Sequence, residues 1–159
     1  MVRIGFGYDV HAFTENKPLF LGGIPIPYEK GLEGHSDADV LLHAICDALL
    51  GAAALRDIGF HFPNSDPQWK NISSLILLQK TWEIIQKHHY ELGNIDSTIL
   101  AEAPKISPFI PDMQKTIANV LQCSAHQISI KATTNEKMGF IGRKEGIAAM
   151  AVALLILKK

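Results

Sequence analysis

From Ile147 to Leu157 the chain carries no polar side chain at all. Such a run has to leave water, yet it is shorter than the ~20 apolar residues that a membrane-crossing helix needs. It therefore reads as a β-strand buried on both faces, and the rest of the chain must supply the layers that cover it.

Covering elements are legible upstream. Arg3 to Phe13 has an extended apolar start that breaks at Gly5 and Gly7, and Phe20 to Ile26 reads as two short strands around the Gly22-Gly23 turn. Val40, Leu41, Ala44, Ile45, Ala48, Leu49 and Ala52 recur at helical spacing, and Ser36 with Asp39 approximates a capping box, so a helix is expected over roughly 37–54. Gly59 to Asp66 reads as a loop. A second amphipathic helix starts at Ser73-Ser74 and runs through Leu77, Leu78, Trp82 and Ile85. Ile95 to Leu100 reads as a strand, Pro108 to Leu121 as a helix and Ile128 to Ala132 as a strand. Helices alternating with a few strands imply an α/β or α+β arrangement, with a sheet covered by helices on at least one face.

The 159 residues, 47% hydrophobic and 19% charged, fit one domain spanning 1–159 around one core. A net charge of -1 argues against nucleic acid as a partner but leaves room for a local phosphate site. Cys46 and Cys123 form no C-x-x-C pair or disulfide framework, which points to a reducing compartment and to cysteines serving as small core hydrophobes. The N-terminal residues carry no apolar signal core, and no stretch is long enough for a membrane span, so a cytoplasmic location is expected.

Asp9-Val10-His11 places two potential ligands on one side of an extended segment. His43 sits within an otherwise apolar helix, where an unpaired imidazole would cost about 1–3 kcal/mol. Two readings stay open for it. It is either a core histidine bonded to Asp39 or Asp47 one turn away, or a metal ligand whose other nitrogen an aspartate fixes. Together Asp9, His11 and His43 make a two-histidine, one-carboxylate set that suits a catalytic zinc with an open position. His35-Ser36 precedes the expected helix, where N–H groups attract a phosphate, although plain capping by Ser36 explains it as well. Lys131 to Lys137 leaves a strand with Thr133, Thr134, Asn135 and Glu136 close together. This is either a polar strand end or a phosphate site, with Glu136 near a hard cation.

Taken in order, several blocks resemble the 2-C-methyl-D-erythritol 2,4-cyclodiphosphate synthase family. They are Gly5-Phe6-Gly7-Tyr8-Asp9-Val10-His11-Ala12-Phe13, Gly34-His35-Ser36-Asp37-Ala38-Asp39-Val40, His43, Asp47 to Ala54 and Asp57-Ile58-Gly59. Ala103-Pro104-Lys105, Lys131-Ala132-Thr133-Thr134, Glu136-Lys137 and Gly139-Phe140 through Arg143 continue the likeness. The resemblance implies cyclisation of 4-diphosphocytidyl-2-C-methyl-D-erythritol 2-phosphate with release of CMP, a step of the non-mevalonate route to isoprenoid precursors.

By that resemblance Asp9, His11 and His43 bind Zn²⁺ and Glu136 helps hold Mg²⁺ or Mn²⁺, while His35 and Thr134 stabilise the transition state. Substrate contacts are implied for Asp9, His11, His35, Ser36, Asp57, Ile58, Gly59 and the loop Phe62, Pro63, Asn64, Ser65, Asp66. On the cytidine and diphosphate side they are Ala101, Glu102, Ala103, Pro104, Lys105, Ile106 and Ser107, then Thr133, Thr134, Asn135 and Glu136, with Phe140 and Arg143. The implied fold is a small four-stranded mixed sheet covered by helices on one face, plus a short β-hairpin. The implied assembly is a homotrimer with the sheets packed around its axis and active sites between subunits.

Departures from the family pattern are Asn64 for an aspartate, Asn135 for a third threonine, Phe6 for a histidine of some relatives and Met150 for a glutamate of some. Certain relatives hold an isoprenoid diphosphate on the trimer axis under an arginine with that glutamate beside it. Here Arg143 is kept without the glutamate, so altered binding of a prenyl diphosphate is expected. The competing readings are a zinc-dependent phosphohydrolase, separable by its linear product carrying solvent oxygen, and a non-enzymatic zinc module.

Overall fold

The computed structural model describes residues 1–158. In chain order it forms β1 (Val2–Thr14), β2 (Leu19–Leu21), β3 (Ile24–Ile26), β4 (Gly31–Leu32), α1 (Val40–Ala52), α2 (Ile58–His61) and α3 (Ser74–Lys87). There follow β5 (Tyr90–Leu100), α4 (Ile110–Leu121), β6 (Ile128–Thr133), α5 (Gly139–Gly142) and β7 (Gly146–Leu157). The main sheet has the order β4-β1-β7-β5-β6, and β2 and β3 form a separate hairpin. Only β5 and β6 are parallel, with α4 as their crossover, so the sheet is mixed. Four long strands match the expected sheet. The fifth, β4, is a two-residue pairing of Gly31 and Leu32 against the end of β1.

The apolar run, β7, is the central strand of the five, flanked by β1 and β5, but its burial is one-sided. Ile147, Ala149, Ala151, Ala153 and Leu155 enter the core with α1, whereas Met150 and Val152 are 38% and 40% exposed. Its uniform hydrophobicity reflects an outer sheet face that is also apolar, continued on β1 by Val2, Ile4, Phe6, Tyr8 and Val10. Nor does β1 break at Gly5 and Gly7, because these glycines are where α1 lies against the sheet.

Helix α1 starts at Val40, later than the expected 37, because Asp39 rather than Ser36 is its N-cap. Asp39 Oδ1 accepts from Leu42 N–H and Gly22 N–H, and Oδ2 accepts from Gly23 N–H. One buried carboxylate thus ties the hairpin turn to the helix start. Burial and the nearby Asp37 push its carboxyl up to about 6, against the pull of those N–H donors.

Helix α3 begins after its Ser73 cap and buries Leu77, Leu78, Trp82 and Ile85. The segment expected as one helix from Pro108 is a tight turn over Ser107–Phe109 followed by α4, and the expected loop from Gly59 opens inside the short helix α2. Cys46 is buried and Cys123 half-buried, both as free thiols. Among the described residues no helix is long and apolar enough to cross a membrane.

Candidate active site

Asp9 and His11 sit two residues apart on β1, opposite Ala149 and Ile147 of β7, on the side of the strand that faces α1. From α1, His43 reaches the same point. Asp9 Oδ2 lies 2.8 Å from His11 Nε2 and 3.0 Å from His43 Nδ1, and the two ring nitrogens are 3.2 Å apart. A tetrahedral ion with ligands at about 2.0–2.1 Å spaces them by about 3.3 Å, so the three donors stand within a few tenths of an ångström of that arrangement. Among the described residues this is the one place where three or more His, Cys, Asp or Glu side chains converge closely enough to hold a metal ion.

Each donor is prepared by its surroundings. His11 Nδ1 lies 2.6 Å from the carbonyl of Glu33, which can only accept, so in the neutral ring that a metal requires Nδ1 carries the proton and the Nε2 lone pair points at Asp9 and His43, whereas in the protonated ring Nε2 donates to Asp9. Burial works against charge on Asp9, yet the hydrogen bonds and positive potential of His11 and His43 prevail and hold its carboxyl down at about 2. His11 is pulled the other way: burial lowers its pKa, but Asp9 and the Glu33 carbonyl raise it more.

Neither aspartate proposed as a core partner of His43 bonds to its ring. Asp39 is spent on the hairpin turn, and Asp47 Oδ1 accepts from Ile58 N–H, fixing the start of α2. The far nitrogen, His43 Nε2, instead lies 3.0 Å from Ser74 Oγ and 3.1 Å from Ser36 Oγ. Sequence reading took Ser74 only as a helix start. Its signal was a second serine at the first turn of α3, where one capping hydroxyl suffices.

The triad lines a cavity of about 210 Å³ with His35, Ser36, Ile58, Gly59, Phe62, Asn64, Trp69 and Leu77. Trp69 and Leu77 were not anticipated, the latter because its helical spacing marks it as core. Pro63, Ser65 and Asp66 are not in the wall; Asp66 caps the turn Pro67–Trp69, and Asp57 caps α2 through Phe60 N–H. The anion site expected for His35-Ser36 at a helix N-terminus is displaced, since Asp39 already fills the start of α1. His35 still belongs to the cavity, and its Nε2 is buried without a partner among the described residues. An imidazole nitrogen left so costs about 1–3 kcal/mol, which an incoming acceptor or donor would recover.

A second cavity, of about 450 Å³, opens where the parallel strands β5 and β6 end, a favoured place for ligands in such sheets. Ala101, Glu102, Ala103, Pro104, Lys105, Ile106 and Ser107 line it with Ala132, Thr133 and Thr134. Just beyond, Glu102 accepts from Asn135 N–H, and Thr134 Oγ1 lies 3.3 Å from Glu136 Oε1, with Glu136 exposed. Asn135, Glu136, Phe140 and Arg143 line neither cavity. Arg143 is not without a carboxylate: its Nε donates to Glu145 Oε1 at 2.6 Å, which raises its pKa.

Fold and site define a class, that of α/β proteins with a metal-binding centre of two histidines and one carboxylate set in a cleft between a sheet and its covering helix. Comparison with known proteins then gives the family. The YgbB family model matches residues 2–156. A 2-C-methyl-D-erythritol 2,4-cyclodiphosphate synthase of Porphyromonas gingivalis is 65% identical over 154 residues, which is 97% of this chain and 95% of that protein. The bifunctional IspDF of Campylobacter jejuni superposes with a TM-score of 0.94 at 45% identity, covering 98% of this chain and 42% of that one. IspF of Plasmodium falciparum in its CDP complex gives 0.87 at 40% identity, covering 99% and 97%. The chain belongs to the YgbB family, whose members at high identity are 2-C-methyl-D-erythritol 2,4-cyclodiphosphate synthases.

Proposed function

We propose that this chain converts 4-diphosphocytidyl-2-C-methyl-D-erythritol 2-phosphate into 2-C-methyl-D-erythritol 2,4-cyclodiphosphate and CMP, in the non-mevalonate route to isoprenoid precursors. The observation that carries the reading is the convergence of Asp9, His11 and His43 at one point of a cavity sized for a small polar group. An oxygen of the substrate's own 2-phosphate attacks the β-phosphorus. A new P–O bond closes the ring as the bond to the CMP phosphate breaks. The nucleophile comes from the substrate, so the protein's task is to position the phosphates and offset their charge.

Two phosphate charges about 4 Å apart repel by about 4 kcal/mol in a surface environment, so cations and oriented donors must converge on them. Asp9, His11 and His43 would hold Zn²⁺, and Glu136 would hold Mg²⁺ or Mn²⁺. Such ions supply Lewis-acid charge to phosphate oxygens. His35 offers its buried, unpartnered Nε2 toward the same cavity, and Ser36 its hydroxyl. Thr134 and the backbone of Ala101 to Ser107 line the second cavity, suited to the cytidine diphosphate portion.

The two cavities share no residue, and β7 separates the strand of the triad from β5 and β6. We take the complete site to form between subunits of a homotrimer, with the exposed apolar face of β1 and β7 turned toward the axis. The paired Arg143 remains available to a prenyl diphosphate there, with binding altered by Met150. The chain is taken as a single unit, residues 1–159, acting in the cytoplasm, where free thiols such as those of Cys46 and Cys123 persist.

The test is turnover of that substrate followed by ³¹P NMR in ¹⁸O-labelled water, with and without chelator. A cyclic diphosphate with CMP, lost on chelation, is the expected result. A linear product containing solvent oxygen would replace this reading with a phosphohydrolase.

A further inference from the structure

We infer that Ser74, held by Asp37, is a positioning residue that fixes which ring nitrogen of His43 faces the metal site; the inference rests on the zinc reading of the triad. Ser74 is fully buried at the first turn of α3, with its hydroxyl between His43 and Asp37. Asp37 receives two bonds from it. Ser74 N–H donates to Oδ2 at 2.9 Å, and the hydroxyl donates to Oδ1, which also accepts from Asp39 N–H at 3.2 Å.

The direction of the relay follows from donor and acceptor chemistry. An ionised carboxylate only accepts, so the single hydroxyl proton of Ser74 is committed to Asp37. What Ser74 Oγ presents to His43 is then a lone pair, and His43 Nε2, 3.0 Å away, must carry the proton. That leaves the lone pair of Nδ1 pointing at Asp9 and His11, where a ligand is required. The Glu33 carbonyl orients His11 by a single contact, whereas His43 is oriented by a carboxylate acting through a hydroxyl.

Ser36 cannot do this alone. Its Oγ is 3.1 Å from the same nitrogen and accepts from Ala38 N–H, but nothing among the described residues takes its proton, so its orientation is not imposed. Its hydroxyl stays available to a phosphate in the cavity that it lines.

The experiment measures zinc affinity by competition with a chromophoric chelator for wild type, Ser74→Ala and Asp37→Asn. The second variant keeps the shape of Asp37 but makes one of its two acceptor positions a donor. In parallel, ¹⁵N NMR of the zinc-loaded, histidine-labelled proteins reads the His43 ring, a signal that only folded, loaded molecules give. Both variants are expected to bind zinc about 10- to 100-fold more weakly, with the Nε2–H of His43 protected from exchange in wild type and exposed to it in the variants. Unchanged affinity in both, or weakened affinity with an unchanged ring signal, overturns the inference. Failure of the wild type to bind zinc would instead overturn the reading of the triad itself.

Discussion

Gly7 of β1 and Ala44 of α1 pack so closely that a methyl group on Gly7 would lie 1.9 Å from the Ala44 carbonyl oxygen. Gly5 stands likewise against Ala48, where the distance would be 2.0 Å. The obstacles are backbone atoms of a buried helix, so α1 would have to retreat by about 1 Å or more to restore ordinary contact. His43 rides on that helix next to Ala44, while Asp9 and His11 ride on the strand. Gly7→Ala is therefore expected to weaken zinc binding at least tenfold and destabilise the fold by about 1–3 kcal/mol. Chelator competition and thermal unfolding measure both, and wild-type zinc affinity in the variant would refute the argument.

His43→Ala should abolish zinc binding and turnover while leaving the circular dichroism spectrum near that of wild type. The ring is one of three donors, and its removal leaves Asp9 and His11 a bidentate, weak site. Elemental analysis that finds full zinc occupancy in this variant would remove His43 from the ligand set.

Zinc affinity should fall on acidification. His11 must be deprotonated to donate Nε2, and its pKa is raised from 6.5. Protons therefore compete from somewhat above pH 6.5 downward. In the metal-free protein the same contacts have a stability signature. The raised His11 contributes fully below 6.5 and loses its contribution as pH rises through the folded value. Asp9, lowered from 3.8 to about 2, contributes above 3.8 and loses its contribution as pH falls toward 2. Titration of zinc binding between pH 4 and 8, and of metal-free stability between pH 2 and 8, checks these signs; a flat zinc profile would contradict them.

Glu136→Gln is expected to retain zinc, because Glu136 stands apart from the triad cavity, yet to lose most activity and its response to added Mg²⁺. Overlapping Mg²⁺ titration curves for wild type and variant would deny Glu136 that role.

Ile4 is 70% exposed on the outer face of the sheet and lines neither cavity. Ile4→Asp places a charge in the face assigned to the trimer axis and should yield monomers by light scattering, with loss of turnover. A monomer with wild-type activity would show that one chain completes the site by itself.

The two-residue spacing of Asp9 and His11, the helical spacing around His43 and the blocks resembling one family were legible in the order of residues. So were the hairpin at Gly22-Gly23 and the alternation of helices and strands. Periodicity reports which side of an element a residue occupies, and that information is local. Whether β7 is covered on one face or two is not local, and the apolar pattern of Ile147 to Leu157 is the same in either case. The partner of His43 was also out of reach. Asp39 and Asp47 lie one turn away along the helix, but both are drawn off by backbone N–H groups of other segments, and the ring is met by Ser74 from a different helix. Sequence thus specified the donors, because donor chemistry belongs to single side chains. Only the tertiary structure decided their pairing, since the close approach of α1 to β1 over Gly5 and Gly7 and the arrival of α3 behind His43 depend on packing between segments far apart in the chain.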